Sequence, residues 1–183
     1  MKTHGYSLWL VPEPSTEAFR SLRQLVEELA QVYHSPVFQP HVTLFGGVED
    51  TEENLRRKVR GFADGLVPLY IDLNGAESKG AYFQALFATA TRTRSLLRAN
   101  ILAEKLFGIA HSDCYLPHLS FVYGTFGDGE IVRLRKLLEQ RDGLFQEGKS
   151  FIAKRVQLWH TEGTVAEGHL VAEFPLNGKG LQN

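Results

Sequence analysis

The spacing of apolar residues changes repeatedly along the chain, and each change marks an element. Tyr6 to Val11 is an unbroken aromatic and aliphatic run stopped by Pro12 and Pro14, the pattern of a strand. After Ser15, a residue suited to an N-cap, Phe19, Leu22, Val26, Leu29 and Tyr33 recur at intervals of three and four, which predicts a helix over Thr16 to Tyr33. His41 to Phe45 is a short strand stopped by Gly46-Gly47. Asp50 and Glu53 form a capping-box pattern ahead of a helix carrying Leu55, Val59 and Phe62. Two strands follow, Leu69 to Leu73 and Tyr82 to Thr89, and then a helix over Arg92 to Phe107 ended by Gly108. His118 to Tyr123 is another short strand stopped by glycine, Asp128 to Gln140 a helix, and Ile152 to His160 and His169 to Phe174 the closing strands.

These elements repeat. Pro40-His41-Val42-Thr43-Leu44-Phe45 and Pro117-His118-Leu119-Ser120-Phe121-Val122 are each followed by glycine, a helix and two strands, at an offset of 77 residues between the histidines. Each is also preceded by a helix. One duplication of this kind predicts an α+β fold of two similar lobes, with antiparallel sheets facing across a central groove and helices on the outside. The 183 residues are read as a single bilobal domain, 1–183.

Composition narrows the class. With 43% hydrophobic residues the chain can build a core, and a formal net charge of -1 argues against a broad electrostatic nucleic-acid surface. Cys114 is the only cysteine, so no intramolecular disulfide can form. The apolar run Leu8 to Val11 is too short for a signal-peptide core, and no stretch approaches the roughly 18 apolar residues of a membrane span. The expectation is a cytoplasmic monomer with no membrane partner.

A single His-x-Ser/Thr is a weak signal, since two of seven histidines carry it and composition alone gives about one. The shared setting is what counts: proline before, apolar residues between and after, a glycine stop, and equivalent places in two repeats. Period-two geometry puts His41 and Thr43 on one strand face and His118 and Ser120 on another, so opposed faces would gather four polar side chains in one groove. Imidazole titrates near neutrality and suits general acid and base work, and the hydroxyls can donate to phosphoryl oxygens. His4, His34, His111, His160 and His169 lie outside the repeated pattern. His111, Asp113, Cys114 and His118 match no familiar zinc spacing, so neither metal nor cofactor is expected. The Arg56-Arg57-Lys58-Arg60 cluster reads as solvated helix surface.

In these residues the chain resembles the two-histidine phosphoesterases, which carry two His-x-Thr/Ser motifs in duplicated lobes. It is most similar to their plant- and yeast-type cyclic nucleotide phosphodiesterases. Gly5-Tyr6-Ser7-Leu8-Trp9-Leu10-Val11-Pro12 resembles that group's opening strand, and Pro117 to Tyr123 its second motif. The plant members have disulfide-forming cysteines that this chain lacks. The resemblance implies metal-free opening of nucleoside 2′,3′-cyclic phosphates to 2′-phosphates, or of ADP-ribose 1″,2″-cyclic phosphate. It implies His41 as the acid and His118 as the base, although the near-symmetry of the repeats is compatible with either order. Processing of RNA ends is the second substrate class, and a non-catalytic nucleotide-binding module the third reading. Tyr123 matches an aromatic that lines the phosphate pocket in the family; strict alternation would turn it away from His118, so the strand must bend before Gly124. Trp9, Phe45, Phe83 and Trp159 are candidate base-stacking platforms.

Overall fold

The structure is a computed structural model that describes residues 2–110 and 113–178; His111, set aside above, lies outside the described residues. The elements run β1 (Tyr6–Leu10), α1 (Glu17–Tyr33), β2 (Val42–Val48), α2 (Glu52–Asp64), β3 (Leu69–Glu77), β4 (Leu86–Ala90), α3 (Arg94–Leu106), β5 (His118–Val122), α4 (Asp128–Glu139), α5 (Asp142–Gly148), β6 (Ser150–Ala153), β7 (Arg155–His160) and β8 (His169–Pro175). The helices start where side chains can satisfy their free N–H groups. Thr16, Thr51 and Thr93 each accept from the backbone N–H three residues on. The caps thus fall one residue later than Ser15 and Asp50. Asp50 instead pairs with Lys58 at 2.7 Å, across the first turns of α2.

The strands follow the order β6-β3-β4-β5-β2-β1-β7-β8 with every neighbouring pair antiparallel. The predicted α+β architecture is present, and its two sheets are wings of one curled sheet, joined where Val42 of β2 pairs with Leu119 of β5. Leu22, Leu25 and Leu29 of α1, Leu8 and Leu10 of β1, and Leu119 and Phe121 of β5 are wholly removed from solvent in the core between sheet and helices. Each such side chain contributes about 1.5–3 kcal/mol through burial.

The repeats and the wings do not coincide, which the sequence pattern does not convey. β3 and β4 follow the first repeat's helix but join β5 of the second, while β7 follows the second repeat's helices yet pairs onto β1, with β8 beyond it. The predicted strand Ile152 to His160 is consequently two strands, divided at Lys154: Phe151 pairs with Ile71 in one wing and Val156 with Leu10 in the other. The predicted strand Tyr82 to Thr89 starts only at Leu86, because Ala81 to Gln84 form a turn closed by Gln84 N–H to Ala81 O at 2.9 Å. Helix α5 has no side-chain cap and escaped prediction.

Candidate active site

Both motif strands carry a β-bulge at the same place. Trp9 pairs with Thr43 but Leu8 with Phe45, leaving Leu44 as an extra residue; Phe87 pairs with Ser120 but Leu86 with Val122, leaving Phe121 extra. The bulges therefore stand three residues after His41 and His118. A bulge shifts which face the following residues present. In β5 it carries Tyr123 into the groove, supplying the bend the alternation demanded. In β2 it turns Phe45 to the core side, where it stacks on Phe107 at 5.7 Å, so Phe45 is removed from the set of stacking platforms. The position equivalent to Tyr123 is Gly46, where a Cβ would stand 2.9 Å from Ser7 Oγ. Side chains satisfy the carbonyls at the β2 bulge: Asn100 Nδ2 donates to Leu44 O at 2.9 Å and the Tyr115 hydroxyl to Thr43 O at 3.0 Å.

His41, Thr43, His118, Ser120 and Tyr123 line one groove of about 910 Å³, together with Trp9, Phe83 and Trp159. Counting outward from the Val42–Leu119 pair sets His41 level with Ser120 and Thr43 level with His118. Each histidine thus faces the other motif's hydroxyl across the junction. The imidazoles are anchored alike: His41 Nδ1 meets the Gln39 carbonyl at 2.7 Å and His118 Nδ1 the Leu116 carbonyl at 2.9 Å. A carbonyl oxygen only accepts, so each Nδ1 carries hydrogen and each neutral ring offers Nε2 as its proton acceptor.

The rings differ in surroundings. His41 is 7% exposed, and loss of hydration lowers its pKa to about 4, opposed by the Gln39 hydrogen bond. His118 is half-buried; desolvation lowers its pKa too, the Leu116 carbonyl opposes this, and the Lys79 ammonium adds to the lowering. Trp9 stacks on His41 with centroids 3.6 Å apart, and its other face stacks on Trp159 at 4.3 Å. With both faces occupied, Trp9 has none left for a nucleobase, which corrects the expectation of a platform there. Trp159 and Phe83 both remain on the groove wall.

The hydroxyls also differ. Ser120 Oγ donates to Phe83 O at 2.8 Å, tying the 81–84 turn to β5. Among the described residues, Thr43 Oγ1 has no such bond and faces the groove. Tyr123 is buried, stacks on Phe38 at 3.8 Å and lies within hydrogen-bonding reach of Ser120; burial pushes its hydroxyl's pKa up. Arg23 lies on the groove wall beside Phe38.

Sequence reasoning missed Phe38, Gln39 and Phe87. Phe87 pairs with Ser120 as Trp9 pairs with Thr43, and it meets His118 edge-on, at 5.0 Å and 65°. The 77-residue offset carries Trp9 to Leu86, one residue short of Phe87, so the repeat alone did not mark it.

Comparison with known proteins gives the family and the fold. The family model described as "Cyclic phosphodiesterase-like protein" matches residues 4–176. A cyclic phosphodiesterase of Arabidopsis thaliana is 24% identical over 88% of each chain. A 2′,3′-cyclic-nucleotide 3′-phosphodiesterase of Kluyveromyces lactis is 24% identical over 95% of this chain and all of its own. The crystal structure of Escherichia coli LigT with 3′-AMP superposes with a TM-score of 0.55 over 96% of each chain, at 11% identity, a likeness of fold. No helix among the described residues is long and apolar enough to cross a membrane. The chain belongs to the cyclic phosphodiesterase-like protein family and is a phosphodiesterase of the two-histidine type.

Proposed function

We propose that the protein hydrolyses nucleoside 2′,3′-cyclic phosphates to 2′-phosphates, and ADP-ribose 1″,2″-cyclic phosphate, by general acid and base catalysis without a metal ion, both repeats acting as one unit. The observation that carries this reading is the matched anchoring of two imidazoles by Nδ1, which leaves both Nε2 atoms to a groove that also holds Thr43. One neutral imidazole takes a proton from water as the oxygen attacks phosphorus. The P–O3′ bond breaks, and the departing oxygen takes a proton from the other ring, then an imidazolium. Thr43 donates to a non-bridging oxygen, and Ser120 does so on rotating away from Phe83 O.

The family likeness makes His41 the acid. Burial alone favours His118, the wetter ring, as the first to take a proton. His41 serves as acid once a bound phosphodiester anion raises its pKa, with the Trp9 face supporting the imidazolium. Phe83 and the outer face of Trp159 supply the surfaces for a base. The test is turnover of a 2′,3′-cyclic nucleotide by His41→Asn and His118→Asn. Near-complete loss in each, with wild-type activity unaffected by EDTA, is the expected result; wild-type turnover in either variant refutes the two-histidine mechanism. A mononucleotide that turns over as fast as an oligonucleotide with the same end places small molecules ahead of RNA.

A further inference from the structure

Behind His41 lies a chain of amides that the acid–base chemistry does not itself use. Gln157 of β7 is 5% exposed and pairs across the sheet with Trp9 on one side and Glu173 on the other. Its Nε2 donates to Glu173 Oε2 at 3.2 Å. Its Oε1 accepts from Gln39 Nε2 at 3.0 Å and from Trp159 Nε1 at 2.8 Å. Only one orientation of the amide fits these partners, because a carboxylate cannot donate and an indole N–H cannot accept. Arg155, 3.8 Å from Glu173 and 3.3 Å from Glu13, holds the carboxylate in turn.

We propose that Gln157 is a positioning residue for His41: one amide oxygen holds both the residue whose carbonyl anchors Nδ1 and the indole that backs the Trp9–His41 stack. The inference rests on the reading of His41 as one of the acid–base pair. Gln39 and Trp159 reach the imidazole from different directions, the first in the plane of the ring and the second through Trp9 against its face. Fixing both leaves the ring no easy rotation or tilt, and a misaligned proton-transfer group loses much of its effect. Among the described residues His118 has no equivalent device: its anchor is the carbonyl of Leu116, an apolar residue, and its aromatic neighbour Phe87 has no polar handle. The two rings are thus held to different degrees.

Two variants test this, each read by kinetics and by the titration of the His41 Cε1–H resonance in the free protein. Gln157→Leu keeps the bulk and removes the acceptor. The expected result is a roughly tenfold or greater fall in kcat with KM within about twofold, and a His41 titration moved up toward the ordinary imidazole range as the ring gains water. The doubly exchanged Gln157→Glu/Glu173→Gln keeps the hydrogen bonds by reversing one of them, and brings the carboxylate one strand nearer to His41. It is expected to fold and to raise the His41 titration by about one unit. Wild-type kcat and titration in Gln157→Leu overturn the proposal. So does an exchanged pair that fails to fold or leaves His41 titrating as before, which keeps the question open to decision if Gln157→Leu itself does not fold. Absence of cyclic-phosphate turnover in the wild type would defeat the functional reading alone, since the titrations stand without substrate.

Discussion

Trp9 lies flat on His41, centroids 3.6 Å apart and planes 9° from parallel, whereas its counterpart Phe87 presents itself to His118 at 65°. A stacked indole favours a cation over its face, and an edge-on phenyl does so less. Trp9→Leu is expected to lower kcat about tenfold, the equivalent of roughly 1–2 kcal/mol of lost support for the imidazolium. Trp9→Phe should recover most of it. Steady-state kinetics on a 2′,3′-cyclic nucleotide checks both, and equal activity in the leucine variant would mean that the stack is only packing.

Stability should depend on pH through His41. Its folded pKa of about 4 lies below the ordinary value of 6.5, so between those limits the unfolded chain binds the extra proton. Stability is therefore full above about pH 6.5, falls as pH drops toward 4, and levels off once the folded ring is protonated as well. The contribution lost is on the order of 3 kcal/mol. Urea unfolding from pH 7 to 4.5 should show this slope in the wild type and a much flatter one in His41→Gln.

Anion binding should reverse that preference. A nucleoside 2′-phosphate placed in the groove is expected to raise the His41 titration, so that binding takes up protons from solution. Calorimetry in buffers of different ionisation enthalpy measures the uptake. Binding with no proton uptake would remove the support for His41 as the acid.

The motif hydroxyls should separate in kinetic terms. Thr43→Val removes a donor with no other bond among the described residues, so kcat should fall about a hundredfold with little change in KM. Ser120→Ala also leaves Phe83 O unpaired and frees the 81–84 turn, so KM should rise as well. Equal effects on both parameters in the two variants would contradict the asymmetry.

Phe45 and Phe83 offer a sharper contrast still. Phe45→Leu should leave KM unchanged and lower stability by about 1 kcal/mol, because its ring packs on Phe107 outside the groove. Phe83→Ala should raise KM severalfold.

That last pair also shows where the sequence was transparent. Apolar periodicity located most helices and strands, and the 77-residue offset was enough to bring His41, Thr43, His118 and Ser120 to one groove. Period-two reasoning then misplaced Phe45 and left Tyr123 in need of a bend for the same reason: an extra residue at Leu44 and at Phe121 shifts the faces, and nothing in an apolar run marks which residue is extra. Trp9 reads in the sequence as a stacking platform, but its partners come from β2 and β7, which only pairing in space reveals. Gln157 sits in a strand of ordinary composition, and its role exists only through Glu173, Gln39 and Trp159.

The exchange of strands between the repeats has a consequence for the timing of synthesis. The strand that flanks Trp9, β7, emerges nearly 150 residues after it, on the order of ten seconds at ordinary rates of translation. Until then both motif strands can exist while the His41 wing still lacks its neighbour and the indole that backs the stack. Loop closure over so long a separation also slows folding. A chain that has yet to complete β7 therefore carries both histidines and no finished catalyst, and activity should appear abruptly, with that strand, rather than build up as the repeats are made.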